Sequence, residues 1–273
     1  MKKINPILYI LIFTLTHFSC EQEDISSIES NTAVVAAYLF DGQSVDSIRI
    51  TQSIGYNQTD TALTTLDDLE VAIIDGDRRY LLDNIGNGYY KNDALIIQTE
   101  TTYELDFIHN GELISAETFI PQKREAALSS TSISLAKIEG FPTGGFGAIP
   151  DPIEVTWDNS EGDFYYVKVT NLEEDPEYVN ELLQQFGGIL RGIQFNSDPE
   201  VTDFHVIQPN RDLTQYGRYE IIVFRVQPEY ASLFNLGNNS SQTITEPPSN
   251  VTNGLGLFTG VSSDTLYLQV TKP

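Results

Sequence analysis

The chain has 273 residues, of which 40 % are hydrophobic and 11 % aromatic, so it can bury a substantial core and is not expected to be disordered. Its 39 acidic residues outnumber the 15 lysines and arginines, which gives a formal net charge of −24. This charge argues against nucleic acid as a partner, because phosphate recognition needs a basic footprint, and it brings no attraction to an anionic membrane surface. Two interpretations of the charge stay open: simple solubility of a protein that faces water, and attraction to cationic partners.

The N terminus has the pattern of a bacterial lipoprotein signal. Lys2 and Lys3 are followed by an apolar run over residues 7–15, and Ser19 precedes Cys20. That run is too short to cross a bilayer, which needs about 20 residues, whereas a charged start and a small residue before the cut are typical of secretory signals. We therefore predict a signal peptide over residues 1–19 and lipidation of Cys20. The alternative is that Cys20 is an ordinary buried thiol.

Removal of this signal leaves 273 − 19 = 254 residues and, because Lys2 and Lys3 are lost, a formal charge of −24 − 2 = −26. An acylated cysteine with more than one lipid chain makes anchoring to the membrane stable. The acidic residues that follow Cys20 resemble tags that send lipoproteins to the outer face of the outer membrane. We expect the protein to be lipid-anchored there, facing the extracellular side. Cys20 is the only cysteine, so no disulfide can form within the chain.

The remaining sequence predicts an all-β protein with two immunoglobulin- or fibronectin-like β-sandwich domains, and with one or two short helices inserted in the second. Residues 20–31 are polar and predict a flexible tether. The N-terminal β-sandwich spans residues 32–121, with alternating strands at 34–40, 45–51, 69–74, 78–82, 102–108 and 112–120. The pairs Asp75-Gly76 and Asn110-Gly111 predict hairpins, because such pairs favour turns that need positive φ.

Residues 122–152 predict a linker or long loop. Its glycine-rich stretch, 141–147, lacks the Lys-Ser/Thr pair of a phosphate-binding loop. The C-terminal β-sandwich spans residues 153–273, with strands predicted at 153–157, 164–169, 219–226 and 266–270. Trp157 is predicted to be a core residue, and a platform for ligand stacking is the alternative.

Two helices are predicted within the C-terminal sandwich. Asp175 is a suitable N-cap, Pro176 suits the first helical position and Gly187 can end the helix. The apolar stripe of this helix either packs on the sandwich or faces a partner. A shorter second helix is predicted over residues 228–236.

Three segments resemble a known family: the N-terminal lipoprotein signal, the stretch 102–121 with its Asn110-Gly111 turn, and the tail. The tail contains the spacing Asn-Val-x-Asn-Gly-x-Gly-x-Phe-x-Gly over residues 250–260. The chain resembles a Bacteroidota lipoprotein family of unknown function, of the domain of unknown function 4249 type. The resemblance implies a surface accessory lipoprotein encoded beside a TonB-dependent outer-membrane transporter, and it supplies no catalytic residues. Some relatives have cysteines in the first domain that this chain lacks.

No catalytic or metal site is predicted. His109 and His205 remain after signal removal, and two histidines without a cysteine partner or a His-Glu-x-x-His spacing do not make a zinc site. The acidic groups at 67–70 and 173–175 are interpreted as solvated faces, and a glycoside hydrolase would need two carboxylates about 5–10 Å apart across a cleft. We expect no catalytic residue, no metal and no cofactor.

These patterns predict a non-enzymatic surface lipoprotein that assists a TonB-dependent transporter by capping it or presenting a ligand. The alternative is a free-standing carbohydrate- or peptide-binding lipoprotein with Tyr and Phe as stacking platforms, and a glycan hydrolase is a third hypothesis. The expected partners are the membrane, through Cys20, and the transporter. The candidate contact surface is the tail, on the expectation that its apolar residues are exposed: Asn250, Asn253, Gly254, Leu255, Leu257 and Phe258. The other interpretation is that this segment is a buried closing strand with bulges.

Overall fold

The computed structural model describes residues 31–54, 63–138, 150–181, 195–234 and 248–273. Strands dominate these residues, which confirms the all-β prediction. The first half contributes ten strands: β1 (Ala33–Phe40), β2 (Ser44–Gln52), β3 (Ala72–Asp75), β4 (Arg78–Leu81), β5 (Asp83–Gly86), β6 (Tyr89–Ile96), β7 (Thr102–His109), β8 (Glu112–Phe119), β9 (Ala126–Leu128) and β10 (Ser132–Ser134).

The second half adds eight strands and two short helices in its described residues. They are β11 (Ile153–Trp157), β12 (Phe164–Asn171), β13 (Phe195–Asn196), β14 (Glu200–Val201), β15 (Phe204–Ile207), α1 (Pro209–Asp212), β16 (Gly217–Val226), α2 (Pro228–Ser232), β17 (Val251–Thr252) and β18 (Leu255–Thr271). A helix forms within the predicted range 228–236 as α2, which has Pro228 in its first turn and ends at Ser232.

The strands form three sheets. A long sheet of ten strands has the order β13-β12-β16-β18-β1-β2-β6-β5, with β10 beside β18 and β14 beside β12. A five-stranded sheet has the order β17-β8-β7-β3-β4, and a three-stranded sheet has the order β15-β11-β9. The long sheet therefore contains strands from both halves of the chain.

The long strand β18 joins the two halves. Along one edge, its residues 261–270 pair antiparallel with β16. Along the other edge, its residues 255–261 pair parallel with β1, and residues 269–271 pair with β10. One strand at the C terminus therefore completes the hydrogen bonding of the first strand of the fold.

Two hydrophobic cores lie on this shared sheet. The first core packs β1, β2 and β6 against the five-stranded sheet, and its largest fully buried side chains include Tyr90, Tyr103 and Phe107. The second core packs β12, β16 and the end of β18 against the three-stranded sheet. Burial alternates along β7 and β11 because one face of each strand lies against a core and the other faces away from it. The arrangement is sandwich-like in both halves.

The predicted division into residues 32–121 and 153–273 stays a prediction, and two observations bear on it. Val251 and Phe258, from the predicted C-terminal unit, are buried in the first core. The predicted linker, 122–152, contains the strands β9 and β10. Its glycine-rich stretch, like the signal peptide at 1–19 and the tether up to residue 30, lies outside the described residues.

The predicted helix start at Asp175 is wrong. Residues 175–180 are irregular, and the first helical residue is Glu181. Tertiary pairing overrides the local signals: the backbone N–H of Val179 donates to Thr214 O at 2.9 Å, and that of Glu181 donates to Ile138 O at 3.1 Å. The part of the predicted helix after Glu181 lies outside the described residues.

Trp157 is a core residue, as predicted. Its side chain is buried in the second core, and its ring lies 5.2 Å from that of Tyr165. The indole N–H donates to Thr202 O at 3.0 Å, which satisfies the polar atom of a buried Trp.

Candidate functional site

A polar cleft opens at one side of the second core. It has a volume of about 340 Å³, at the lower end of the range for ligand pockets. Two of its walls come from strands at sheet edges, since β13 ends the long sheet and β15 ends the three-stranded sheet. The lining residues are Val169, Asn196, Ser197, Asp198, His205, Arg211 and Asp212.

His205 reaches this cleft from β15. It lies directly opposite Val155 in the antiparallel pair of β11 and β15, so both side chains are on the same face of the sheet. Val155 is fully buried in the second core, and the imidazole of His205 is therefore half-buried. Burial lowers the pKa of His205, and the nearby carboxylate of Asp212 opposes this shift only in part. The ring is consequently neutral at pH 7.

Asp212 and Arg211 form one wall of the cleft at the end of α1. The Asp212 side chain is only 3 % exposed and accepts hydrogen bonds from Arg211 Nε at 2.7 Å and Arg211 Nη2 at 3.1 Å. It also accepts a hydrogen bond from the backbone N–H of Gln208 at 2.8 Å. The buried carboxylate is thus paired and hydrogen-bonded, as burial of a charge requires. Its oxygens are occupied and do not serve as a free general base.

Three other lining side chains are free to bind a ligand. Asn196, Asp198 and His205 make no side-chain hydrogen bond to any residue in the described part of the chain. The hydroxyl of Ser197, by contrast, accepts a hydrogen bond from the backbone N–H of Val167 at 2.9 Å. This contact holds the segment that carries Asn196 and Asp198 against the long sheet. The cleft therefore offers amide, carboxylate and imidazole groups to a ligand, and the segment with Asn196 and Asp198 is held in place.

The sequence alone did not predict this cleft. It placed His205 in a strand, which β15 confirms, but it gave no reason to connect that residue with Asp198 or Asp212. Within the described ranges, no group of three His, Cys, Asp or Glu side chains is arranged to hold a metal ion.

A second feature, an aromatic cluster, lies on the face of the long sheet away from the cores. Tyr166 stacks on Phe224 with ring centroids 4.6 Å apart, and on Tyr230 of α2 at 5.7 Å. Tyr38 and Phe234 contact Tyr230 in turn, at 6.2 and 5.4 Å. Burial raises the pKa of Tyr166, and the neighbouring Tyr230 adds to the shift. Because these rings contact one another, they hold α2 on the sheet and are not open platforms for a sugar ring.

The predicted contact surface in the tail is largely built into the fold. Leu257 is 4 % exposed and Phe258 is fully buried, so the expectation that these apolar side chains are exposed is wrong. Leu255 and Gly254 are half-buried, and only Asn253 in this group is exposed. The segment forms β17 and the start of β18, which agrees with the other interpretation, a closing strand.

The two asparagines of the tail have structural partners. The amide of Asn250 pairs with the backbone of Phe258, accepting from its N–H at 3.0 Å and donating to its carbonyl at 2.7 Å. The amide of Asn253 donates to Leu113 O on β8 at 2.9 Å. Their side chains thus fasten the loop between β17 and β18 to both layers of the first sandwich.

The start of the described chain is attached to the same sandwich. The carbonyl of Asn31 accepts hydrogen bonds at the tip of the β7–β8 hairpin, from His109 Nε2 at 3.1 Å and from the Asn110 amide at 3.3 Å. Cys20 itself lies outside the described residues. No helix in the described ranges is long and apolar enough to span a bilayer.

These features define an all-β protein with two cores on one shared sheet and a polar cleft in the second. The chain belongs to the family described as "Domain of unknown function (DUF4249)", whose model matches residues 17–266. The family resemblance inferred from the signal, the stretch 102–121 and the tail is thereby confirmed. A comparison with curated proteins finds no match.

Acid is expected to destabilise the cleft through His205. Because the folded-state pKa of His205 lies below the ordinary value of about 6.5, the unfolded chain binds the proton more readily, and the free energy of unfolding falls as the pH drops below about 6.5. One proton can change this free energy by at most about 1.4 kcal/mol per pH unit. Urea unfolding at pH 7.5 and 5.5 should show a smaller loss of stability for His205→Gln than for the wild type. The carboxylates titrate alike in the wild type and in His205→Gln. An identical loss of stability in both proteins would therefore contradict the role given to His205.

Proposed function

We propose that this protein is an outer-membrane lipoprotein, anchored through Cys20 and facing the extracellular side, that presents a ligand to a TonB-dependent transporter without catalysing a reaction. The observation that carries the binding role is the polar cleft, with three lining side chains that have no hydrogen-bonded partner in the described chain. The signal pattern around Cys20 supports the anchor, and the acidic residues that follow Cys20 support the surface placement.

The position of the anchor is compatible with this role. From Cys20 to Asn31 the chain can span at most about 3.6 Å per residue, or roughly 40 Å in all. Asn31 is bound at the tip of the β7–β8 hairpin of the first sandwich. The cleft belongs to the second core, so attachment and ligand binding use different parts of the fold.

Catalysis is not part of the proposal. A glycan hydrolase would need two carboxylates available in one cleft. Of the two carboxylates that line this cleft in the described part of the chain, Asp212 is occupied by Arg211 and by Gln208 N–H, which leaves Asp198.

The lipid anchor is tested by replacing Cys20, the proposed site of acylation. In growing cells, the wild type should incorporate radiolabelled palmitate and sediment with membranes, whereas Cys20→Ser should remain unlabelled and appear in the soluble fraction. We expect membrane association to be lost completely, because removal of the acyl chains removes several tens of buried CH₂ groups at about 0.8 kcal/mol each. A wild-type protein without label would refute the anchored placement.

The transporter partnership is tested by affinity purification. The tagged full-length protein, isolated from outer membranes in mild detergent, should carry a TonB-dependent transporter that mass spectrometry identifies. The control is an unrelated tagged lipoprotein expressed at the same level. Recovery of the protein without any transporter would reject the accessory role. Ligand binding without a transporter would favour the alternative, a free-standing carbohydrate- or peptide-binding lipoprotein.

A further inference from the structure

The charges around the cleft indicate what kind of ligand it can take. The guanidinium of Arg211 is paired with the buried carboxylate of Asp212, and this pair has no net charge. His205 is held half-buried beside them without a hydrogen-bonded partner in the described chain. Among the described lining residues, the cation is that of Arg211, which is paired with Asp212, and the formal charge of −24 further disfavours an anionic ligand.

The free groups of the cleft both donate and accept hydrogen bonds. The Asp198 carboxylate accepts, the Asn196 amide does both, and a neutral imidazole offers one nitrogen for each purpose. Adjacent hydroxyl groups, which also donate and accept, are the matching partners.

The size of the cleft and the strands at its edges further restrict the classes of ligand that it can bind. A volume of about 340 Å³ accommodates a ligand of one or two sugar rings and not a folded partner. A peptide that added a strand would need a run of free backbone groups, and β13 spans two of the described residues. A cation would need more ligands than the one available carboxylate among the described lining residues, that of Asp198.

We propose that the cleft binds a neutral sugar, with Asp198, Asn196 and His205 as the groups that hydrogen-bond its hydroxyls. This inference rests on the binding role proposed for the same cleft and names the chemical class of the ligand.

The test measures binding of defined sugars to the full-length protein in lauryldimethylamine oxide, a detergent without a sugar headgroup. The probes are D-glucose, D-galactose, D-mannose, D-xylose and N-acetyl-D-glucosamine, followed by saturation-transfer NMR and calorimetry. D-Glucuronate and trialanine serve as anionic and peptide comparators. At least one neutral sugar should bind saturably, and more tightly than either comparator.

Variants locate the site. Asp198→Ala and Asn196→Ala should each weaken sugar binding, by at least tenfold for Asp198, because a carboxylate–hydroxyl hydrogen bond is charge-assisted. Both side chains are exposed, so the melting temperature should change little. The matched control is Asp77→Ala, an exposed acidic residue in the β3–β4 turn, which should bind like the wild type.

Two results would overturn the inference: no saturable binding of any of the five sugars, or binding that neither variant weakens. Preferential binding of trialanine would assign the cleft to peptides and would also reject it. These outcomes are independent of the transporter experiment, because sugar binding is measured on the isolated protein and co-purification does not depend on which ligand fills the cleft.

Discussion

Gly256→Ala is expected to destabilise the protein by about 4 kcal/mol or more. Gly256 has φ +105, a conformation that side chains rarely adopt, and it pairs with Val35 where β18 meets β1. A Cβ atom there would lie 1.9 Å from the carbonyl oxygen of Val35. Backbone strain alone contributes about 1–3 kcal/mol, and relief of the clash must push β18 away from β1. The substitution therefore breaks the contact that joins both halves of the long sheet.

Gly42→Ala is the matched control. Gly42 also has a positive φ, +70, but a Cβ atom there would meet nothing within 4 Å. Only the cost of the positive φ remains for an alanine, so we expect the free energy of unfolding to fall by about 1–2 kcal/mol. Urea unfolding followed by the fluorescence of Trp157, the only tryptophan, compares the two variants. Equal losses would show that the close approach of Gly256 to Val35 is not important.

The same experiment tests whether the halves unfold together. Gly256 lies beside the first core, whereas Trp157 is buried in the second. If β18 couples the cores, Gly256→Ala should shift the transition reported by Trp157 as much as the transition reported by far-ultraviolet circular dichroism.

Arg225→Ala is the second large effect, with an expected loss of about 3 kcal/mol. The Arg225 side chain is only 7 % exposed and forms ion pairs with Glu161 and Asp163. Its Nη1 also donates to Gln122 O at 2.8 Å, which ties the chain after β8 to the second sandwich. Removal of one partner of a buried pair typically costs about 3–5 kcal/mol, and the lower value applies here because both carboxylates can regain water.

Two further variants show whether burial and geometry cause this loss. Arg79→Ala removes an ion pair with Asp106 from a side chain that is 43 % exposed, and it should cost less than about 1 kcal/mol. Arg225→Lys should restore little, because one ammonium group cannot reach the separate partners of Nη1 and Nη2. The stabilities of these variants are compared by their denaturant midpoints. An Arg225→Lys protein of wild-type stability would contradict this account.

Local signals predicted the hairpins well. Asn110 and Gly111 have φ of 53° and 83°, as the turn between β7 and β8 requires. The Asp75-Gly76 hairpin also forms, but Asp75 pairs with Arg78, so the centre of the turn is Gly76-Asp77. The one-residue difference arises because the register follows the burial of Ile73 against the first core, which the dipeptide alone does not encode.

Long-range contacts could not be predicted in the same way. The N-cap signal at Asp175 was overridden by pairing with residues near 138 and 214, far away in the sequence. The cleft combines β12, the residues after β13, β15 and α1, which no local spacing brings together. The spacing of Asn250, Gly256 and Phe258 was recognised in the sequence, but its cause is the packing of the tail and not an exposed surface.

The place of β18 in the sheet has a consequence for the order in which the protein can fold. Residues 251–261 are synthesised about 200 residues after β1, yet Val251 and Phe258 complete the core built around β1. The N-terminal half therefore lacks a strand neighbour for β1 and part of its interior until β18 has been synthesised. Completion of the first core is therefore expected to wait for the synthesis of β18.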